Sequence, residues 1–287
     1  MNKYFKEAVF KILMIISVVI IFASLALIIG INIVKGGLVI IREPDLIFSS
    51  PGPKYLLGGE GGILHSILGS IYMVIPSTII AGILGYLIAL FLQVDYIKRR
   101  FSDKIRVLFD VLWGIPSIIF GIFILNMLIV FNQRGSLLAA IITLTLLQLP
   151  LMTRYMDEAL RSVPNGIRES MYSLGATRFE TSLVTVRYAL PGIMAGILLG
   201  LGRAMGDAAS VVFTAGSGNA MPKGLSGSAT SLPLLIFLQA NSYYPNVRDH
   251  AYAASFILVV IIVIINIISR VCAGYFTKFT QGGKHYD

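Results

Sequence analysis

The chain has 287 residues, of which 56% are hydrophobic and 13% are charged, and its mean hydropathy is +0.83. About a quarter of the residues in a soluble globular domain are charged, so this composition excludes an ordinary soluble domain. Disordered chains need low hydrophobicity and fibrous ones need a repeated composition, so both classes are excluded as well. The composition predicts a protein that resides in a lipid bilayer.

Stretches without charged residues define the predicted transmembrane helices. A bilayer core of about 30 Å needs roughly 20 apolar residues per helix. Five stretches are long enough, and a sixth, which begins at Tyr188, is interrupted by Arg203 and Asp207. We therefore predict an all-α integral membrane protein with one membrane domain, 1–287, and two long outer loops, 35–62 and 216–250. The predicted spans are 12–34, 66–93, 110–132, 136–153, 188–214 and 251–272. Within the second outer loop, Ser231–Ala240 is too short to span and is predicted to be a surface or re-entrant helix.

The 23 Lys and Arg residues are divided unequally between the two faces of these six spans. Six spans place both termini on one face, and that face carries most of the positive charge. The opposite face carries Lys35, Arg42, Lys54, Arg134, Lys223 and Arg248. The positive-inside rule then predicts a plasma-membrane protein with both termini in the cytoplasm. The net charge of +9 is assigned to the membrane faces, and no nucleic-acid partner is predicted.

The cytoplasmic segment 154–187 is predicted to form a helix, a turn and a second helix. Pro164 suits a first helical turn, and Gly175 suits a C-terminal cap. Thr177 and Glu180 then form a T-x-x-E capping box for the following helix. The short amphipathic helix could lie on lipid or insert into a groove of a soluble partner, and the residues alone leave both interpretations open.

The run Arg168-Glu169-Ser170-Met171-Tyr172-Ser173-Leu174-Gly175-Ala176-Thr177 resembles the "EAA" coupling motif of binding-protein-dependent ABC importer permeases. Ser170 and Met171 stand where the family has two alanines, whereas the interval from Glu169 to Gly175 is the family's. The resemblance implies that this segment docks onto an ATPase. The implied ATPase-coupling residues are Arg168, Glu169, Ser170, Met171, Leu174, Gly175, Ala176 and Thr177.

The fifth predicted span is rich in glycine and contains two ionisable residues. Gly192, Gly196 and Gly200 recur at intervals of four, as do Gly202 and Gly206, which is typical of closely packed helices. Charged side chains at membrane depth are costly and usually face a protein interior or a water-filled path.

At positions i and i+4, Arg203 and Asp207 are predicted to share a helical face and to form an ion pair. The pair could be purely structural. Alternatively, the Arg203 guanidinium binds an anionic substrate near the bilayer midplane and Asp207 orients it. Asp207 could also accept a hydrogen bond from protonated phosphate, which sulfate cannot donate.

The run Gly202-Arg203-Ala204-Met205-Gly206-Asp207-Ala208-Ala209 resembles the G-R-x-x-G-E-T-A signature of phosphate importer permeases of the PstA type. Asp207 replaces the usual Glu, and Ala208 replaces Thr. Gly61-Gly62-Ile63 and Gly114-Ile115-Pro116-Ser117 also resemble this family, so that the similarity extends from about Gly61 to Arg270. The resemblance implies a substrate pathway that includes Arg203 and Asp207. Arg154 matches a family arginine, although an ordinary positive-inside residue is the simpler interpretation.

The same resemblance implies a heteromeric machine. The chain would supply half of the pathway, paired with a homologous permease of the PstC type and two copies of an ATPase of the PstB type. A phosphate-binding protein of the PstS type would dock outside. The chain contains no G-x-x-x-x-G-K-[ST] sequence, so ATP and magnesium are assigned to the ATPase, and this subunit is predicted not to be an enzyme. His65, His250, His285 and Cys272 lack metal-ligand spacing, and no metal is predicted.

Two other classes of function compete with this interpretation. A stand-alone channel or secondary transporter would use Arg203 and Asp207 as a self-sufficient relay, but the coupling motif and the absence of internal repeats argue against it. An intramembrane enzyme needs a nucleophile with a base or two carboxylates that can meet, and apart from Asp110 at the edge of the third span the predicted spans contain one carboxylate, Asp207. Within the importer class, the alternative substrate is another oxyanion, such as sulfate, molybdate or tungstate.

Overall fold

The computed structural model describes residues 3–52, 55–57 and 59–280, and within these residues the regular secondary structure is helical. Nine α-helices are described. They are α1 (Lys3–Arg42), α2 (Leu64–Phe91), α3 (Arg99–Gly114), α4 (Ser117–Val130), α5 (Leu137–Arg161), α6 (Asn165–Ser173), α7 (Arg178–Met205), α8 (Leu232–Gln239) and α9 (Pro245–Thr280). Five of them are long and apolar enough to cross a membrane, and α3 and α4 together supply a sixth, bent candidate. The predicted all-α membrane architecture is confirmed.

Helix α5 is the central helix of the bundle. In its most apolar stretch 72% of the residues are buried, and it packs against both α2 and α7. Its two ends belong to two cores. One surrounds Leu144 with residues of α2, the end of α7 and the segment after it, and the other surrounds Met156 with residues of α2 and α7. The substrate and coupling residues predicted from the sequence lie around this helix.

Helix α1 lies at the edge of the bundle and contacts α9. None of its most apolar stretch is buried, as expected for a lipid-facing helix. Gly36 lies against the Tyr252 carbonyl and the Phe256 side chain of α9, where a larger residue would clash. Asn32 and Ser255 form a hydrogen bond of 2.6 Å nearby. The helix continues to Arg42, eight residues into the predicted outer loop 35–62, and the connection to α2 begins at Glu43.

The third predicted span, 110–132, is not one straight helix. Helices α3 and α4 meet at an angle of 93° around Ile115 and Pro116. Proline lacks the N–H of a helical hydrogen bond and disfavours a helical conformation in the preceding residue, and Ile115 is extended with ψ of 131°. Most of α3 precedes the predicted span. The prediction of one straight helix was wrong because the hydropathy of a segment carries no information about a bend within it.

The fifth predicted span, 188–214, is shorter than expected at its C-terminal side. Helix α7 ends at Met205, and residues 206–214 form turns instead of a further helix. At its other side α7 begins ten residues earlier than predicted, at Arg178. The apolar composition of 206–214 reflects burial in the bundle, since Val211, Thr214 and Ala215 are buried there.

The predicted re-entrant segment forms α8, which begins after the Ser231 side chain accepts a hydrogen bond from the Leu234 N–H. Leu232 and Leu235 are buried against Leu46 and Ile63 of the outer connection and against α9. The Ser70 hydroxyl of α2 also accepts the Leu232 N–H at 2.8 Å. One face of the short helix is therefore packed into the bundle, while Phe237 and Leu238 on its other face are exposed.

Three glycines on α7 explain its close approach to α5. A Cβ at Gly192 would lie 2.5 Å from the Cβ of Ala159, and one at Gly196 would lie 2.9 Å from the Cβ of Tyr155. Gly200 faces the Met152 side chain. Gly202 and Gly206 do not make such contacts. Among the described residues, a Cβ at Gly202 would meet no atom within 4 Å, and one at Gly206 would reach only Ile262 of another helix, at 4.0 Å.

We predict that alanine at Gly192 and alanine at Gly202 change thermal stability in opposite directions. Alanine favours a helix over glycine by about 1 kcal/mol. At Gly192 that gain is outweighed by overpacking against Ala159, which costs about 1–3 kcal/mol and lowers the melting temperature in detergent. At Gly202 the Cβ meets open space, so the melting temperature should stay constant or rise. Destabilisation by both variants would contradict the packing assigned to this interface.

Candidate functional site

The turn between α6 and α7 has the geometry that its sequence predicts. Gly175 has φ of +81°, a left-handed conformation that glycine adopts without strain, and the Ala176 N–H donates to the Met171 carbonyl at 3.0 Å. The Thr177 side chain accepts the Glu180 N–H, and the Glu180 carboxylate accepts the Thr177 N–H at 2.8 Å. The predicted helix cap and capping box are therefore confirmed.

One side of this turn is exposed and apolar. Leu174 is 83% exposed and Phe179 is 71% exposed. Glu169, Ser170, Gly175 and Thr177 are exposed beside them, while Met171 and Ala176 are half-buried. Large apolar side chains that protrude from a rigid turn into water are typical of a protein interface. The arrangement can insert into a groove of a partner.

Arg168 does not belong to this exposed surface. The residue is 8% exposed, and its Nη2 donates to Gln93 Oε1 at 3.0 Å and to the Leu160 carbonyl at 3.3 Å. Its Nη1 lies 3.6 Å from Asp95 Oδ2. Arg168, which the family resemblance counts among the coupling residues, therefore turns its side chain inward beneath the end of α5 and does not contribute to the exposed surface of the turn.

Asp95 also fixes the opposite end of α6. The Tyr172 hydroxyl donates to Asp95 Oδ1 at 2.6 Å. Only the protonated phenol can donate this hydrogen bond, so the contact with Asp95 raises the pKa of Tyr172. Asp95 thus holds α6 through one cation and one hydroxyl, and the helix is attached to the connection between α2 and α3.

Beyond Gln93 the polar contacts continue to α3. Asp157 of α5 is 1% exposed, and its two carboxylate oxygens accept Nε and Nη2 of Arg106 at 2.7 Å and 3.0 Å. Gln93 Nε2 donates to the same carboxylate at 3.0 Å. Arg106 Nη2 also donates to the Leu92 carbonyl at 2.8 Å. We call the four residues Arg168, Gln93, Asp157 and Arg106 the polar chain. Apart from Arg168, none of them belongs to a motif identified in the sequence.

Arg203 and Asp207 are not arranged as predicted. Because α7 ends at Met205, the two residues do not share a helical face, and no salt bridge joins them among the residues that the structure describes. Arg203 lies in the last turn of α7 and is exposed. The expected ion pair between Arg203 and Asp207 is therefore wrong.

Asp207 instead organises the turn that follows α7. Its Oδ2 accepts the N–H of Ser210 at 2.8 Å. Gly121 of α4 lies against the backbone of Ser210, with the Ser210 Cα at 3.2 Å from the position of a Cβ. The buried Ser210 hydroxyl has no hydrogen-bond partner within the described part of the chain. Arg203, Asp207 and Ser210 thus place one cation, one carboxylate and one free hydroxyl around the end of α7.

Arg154 lies on another side of α5. Its Nε is 3.4 Å from Asp110 Oδ1 of α3, and both side chains are about a third or more exposed. Together with Trp113, Leu151 and Tyr155 it lines a cavity of about 330 Å³. The structure does not bring Arg154 to the turn after α7, so its contact with Asp110 accounts for it without a substrate.

The structure brings together two histidines that seemed unrelated in the sequence. The ring of Tyr55 stacks on His250 with centroids 4.8 Å apart and meets His65 edge-on at 5.7 Å. All three residues are at least 95% buried. Within the described residues, no group of three His, Cys, Asp or Glu side chains is placed to hold a metal ion. His285 lies outside the described residues.

Curated relatives cover most of the chain. The phosphate transport system permease protein PstA of Yersinia pestis is 30% identical over 212 residues, which are 74% of this chain and 72% of that protein. PstA of Pasteurella multocida is 30% identical over 77% of this chain and 78% of its own length. A probable PstA of Methanocaldococcus jannaschii is 30% identical over 83% of this chain and 82% of its own length.

A solved structure shares the fold. The inward-facing MetNI methionine ABC transporter aligns with a TM-score of 0.61 and 18% identity, over 75% of this chain and 95% of that chain. Residues 81–281 match the family described as binding-protein-dependent transport system inner membrane component. This match includes the exposed turn, the polar chain and the turn after α7. The chain therefore belongs to the family of binding-protein-dependent transport system inner membrane components.

Proposed function

We propose that this multi-pass inner-membrane permease forms half of the translocation pathway of an ATP-driven inorganic phosphate importer. The observation that carries the proposal is the similarity to phosphate transport permeases, which covers about three quarters or more of the chain. The chain itself supplies no ATP chemistry in this proposal. A separate ATPase dimer of the PstB type binds ATP and magnesium, and both termini of this chain lie on the same, cytoplasmic side as that dimer.

The exposed turn is the proposed ATPase contact. Leu174 and Phe179 supply apolar anchors, and Gly175 with the capping box keeps the turn rigid. A preformed turn loses little conformational entropy on docking, which favours binding. The docking residues are Glu169, Ser170, Met171, Leu174, Gly175, Ala176 and Thr177, with Arg168 acting from inside.

The turn after α7 is the proposed anion contact. The exposed guanidinium of Arg203 can form two parallel hydrogen bonds to a tetrahedral oxyanion. Asp207 accepts the Ser210 N–H with Oδ2, and its Oδ1 accepts no hydrogen bond within the described part of the chain. Phosphate near neutral pH keeps a proton that it can donate to this oxygen, whereas sulfate, molybdate and tungstate do not. The homologous permease of the PstC type supplies the facing half, and a binding protein of the PstS type delivers the ion.

Copurification tests the proposed assembly directly. The tagged chain, extracted from native membranes in mild detergent, should bring down a second permease and an ATPase in stoichiometric amounts. Phosphate should then stimulate ATP hydrolysis of the reconstituted complex in the presence of its binding protein. A chain that emerges alone or as a homodimer would instead point to a channel or secondary transporter.

We predict that Gly175→Val uncouples the permease from the ATPase. A valine at φ of +81° adds about 1–2 kcal/mol of left-handed strain and deforms the turn. ATP-driven phosphate uptake should fall about tenfold or more, with membrane insertion retained. Gly166→Val is the matched control, because Gly166 lies in α6 with open space around it. Normal uptake in Gly175→Val would refute the docking assignment.

We also predict that Asp207→Asn weakens discrimination between phosphate and sulfate. The amide oxygen can still accept the Ser210 N–H, so the turn should persist. The amide NH2 group would then face the phosphate, and a donor cannot accept the hydrogen bond from the protonated phosphate oxygen. Loss of a hydrogen bond to a charged group costs about 1.5–3 kcal/mol, or about tenfold or more in the selectivity ratio. Competition uptake with labelled phosphate measures this ratio. Asp110→Asn, which removes the Arg154 contact instead, should leave selectivity unchanged, and equal ratios in all three proteins would contradict the role of Asp207.

A further inference from the structure

The polar chain connects the ATPase-docking helix to the bent helix pair. It starts at Arg168 in α6, passes through Gln93 after α2 and Asp157 in α5, and ends at Arg106 in α3. Each residue of this chain is at most partly exposed, with side-chain exposure of 10% for Arg168 and 11% for Arg106. Buried charges that lose a partner are strongly destabilised, so these contacts resist separation.

The bent pair reaches from this chain to the proposed anion contact. Helix α3 carries Arg106, and α4 continues it at 93° around Ile115 and Pro116. Gly121 of α4 then lies against the backbone of Ser210, whose N–H is held by Asp207. Two rigid helices joined by a fixed bend can transmit a displacement from one end to the other. The described contacts therefore form a continuous route from α6 to the turn after α7.

We propose that Gln93 is the joint through which movement of the ATPase-docking helix α6 is transmitted to α3 and α4 and so to the Asp207–Ser210 turn. This inference rests on the proposed function for the meaning of the two ends. Gln93 is a positioning residue in this scheme and touches neither ATP nor the transported anion. Coupling between distant sites can be carried by helices that are joined through hydrogen-bond networks. In this scheme Gln93 is the hydrogen-bonded connection between α6 and α3.

Gln93 is suited to this role because it joins two ion pairs by direct hydrogen bonds. Its Oε1 accepts Arg168, and its Nε2 donates to Asp157 and to the Ala89 carbonyl at 2.9 Å. If Gln93 is replaced, Arg168 keeps Asp95 and Asp157 keeps Arg106. The residue is 3% exposed, so leucine can occupy its place. Its substitution therefore removes the hydrogen bonds that link the two ion pairs, while each charge keeps a partner and Asp95 still holds α6 to the connection between α2 and α3.

The first test is the amount of phosphate transported per ATP hydrolysed by the complete importer in proteoliposomes. For Gln93→Leu we expect ATP hydrolysis to stay within about twofold of wild type, while the transport ratio falls about five- to tenfold or more. A role in folding alone would lower both activities together with the yield of complex and would leave the ratio unchanged.

Gln148→Leu is the matched control. Gln148 of α5 is also fully buried and joins α5 to α2, through hydrogen bonds of 2.9 Å with Ser77 and Thr78. None of these bonds involves α6 or α3. We expect this variant to keep the wild-type transport ratio even if its melting temperature is lower.

The second test does not depend on the identity of the substrate. Spin labels at Lys104→Cys in α3 and Asn165→Cys in α6, in a Cys272→Ser background, report the distance between the two helices in the complex. Both positions are exposed. In wild type the distance should be the same without nucleotide and with a non-hydrolysable ATP analogue, because the helices move together. In Gln93→Leu the distance should differ between the two states or its distribution should broaden.

The two tests separate the inference from the proposed function. If the wild-type complex transports no phosphate, the proposed substrate is wrong, and the spin-label distances still decide whether α3 and α6 move as one unit. The proposed role of Gln93 would be overturned if the wild-type distance changed with nucleotide. It would also be overturned if Gln93→Leu had the same distances and the same transport ratio as wild type. A ratio that falls equally in Gln93→Leu and Gln148→Leu would overturn it as well.

Discussion

The buried carboxylate of Asp157 is the group around which one end of this permease is organised. A carboxylate that is 1% exposed must be paired, and Arg106 satisfies both of its oxygens. Because Asp157 lies on the central helix, this pairing fixes α3 across the end of the bundle. Gln93 adds a third donor and extends the contact to Arg168. The position of α6 therefore depends in part on the contacts that neutralise one buried charge.

Close packing in the rest of the bundle depends on small residues instead of charges. In lipid, helices gain little from hydrophobic burial against each other, so association relies on contact and hydrogen bonds. Gly192, Gly196 and Gly200 bring α7 against α5, and Gly85 of α2 approaches the Thr153 backbone within contact distance. The polar bridge of Gln148 adds hydrogen bonds between α2 and α5. The central helix is thus held by fitted surfaces over most of its length and by charge at one end.

The two proposed functional ends of the chain are built differently. The exposed turn after α6 is rigid because its backbone hydrogen bonds, a left-handed glycine and a capping box are all local. The turn after α7 depends on a single carboxylate and on contact with α4. A rigid end for docking and a less constrained end at the anion contact fit a subunit that receives movement at one place and changes access at another.

The sequence by itself determined the features that rest on local chemistry. Apolar run lengths predicted an all-α membrane protein with six candidate crossings, because each crossing needs its own length of hydrocarbon-compatible chain. Gly175, Thr177 and Glu180 predicted the cap and capping box, because those contacts join residues at most a few positions apart. The resemblance at Gly202–Ala209 and at Arg168–Thr177 indicated the family that the match over residues 81–281 then showed.

Only the tertiary structure decided the features that depend on contacts between distant residues. The inward turn of Arg168 follows from Gln93 and Asp95, which lie more than 70 positions away in the sequence. The end of α7 at Met205 separates Arg203 from Asp207, and the 93° bend at Pro116 sets α4 against Ser210. Hydrophobicity and periodicity record how apolar a segment is and which residues share a face. They do not record where a helix stops inside a protein or which distant partner a buried charge finds, because both are settled by packing.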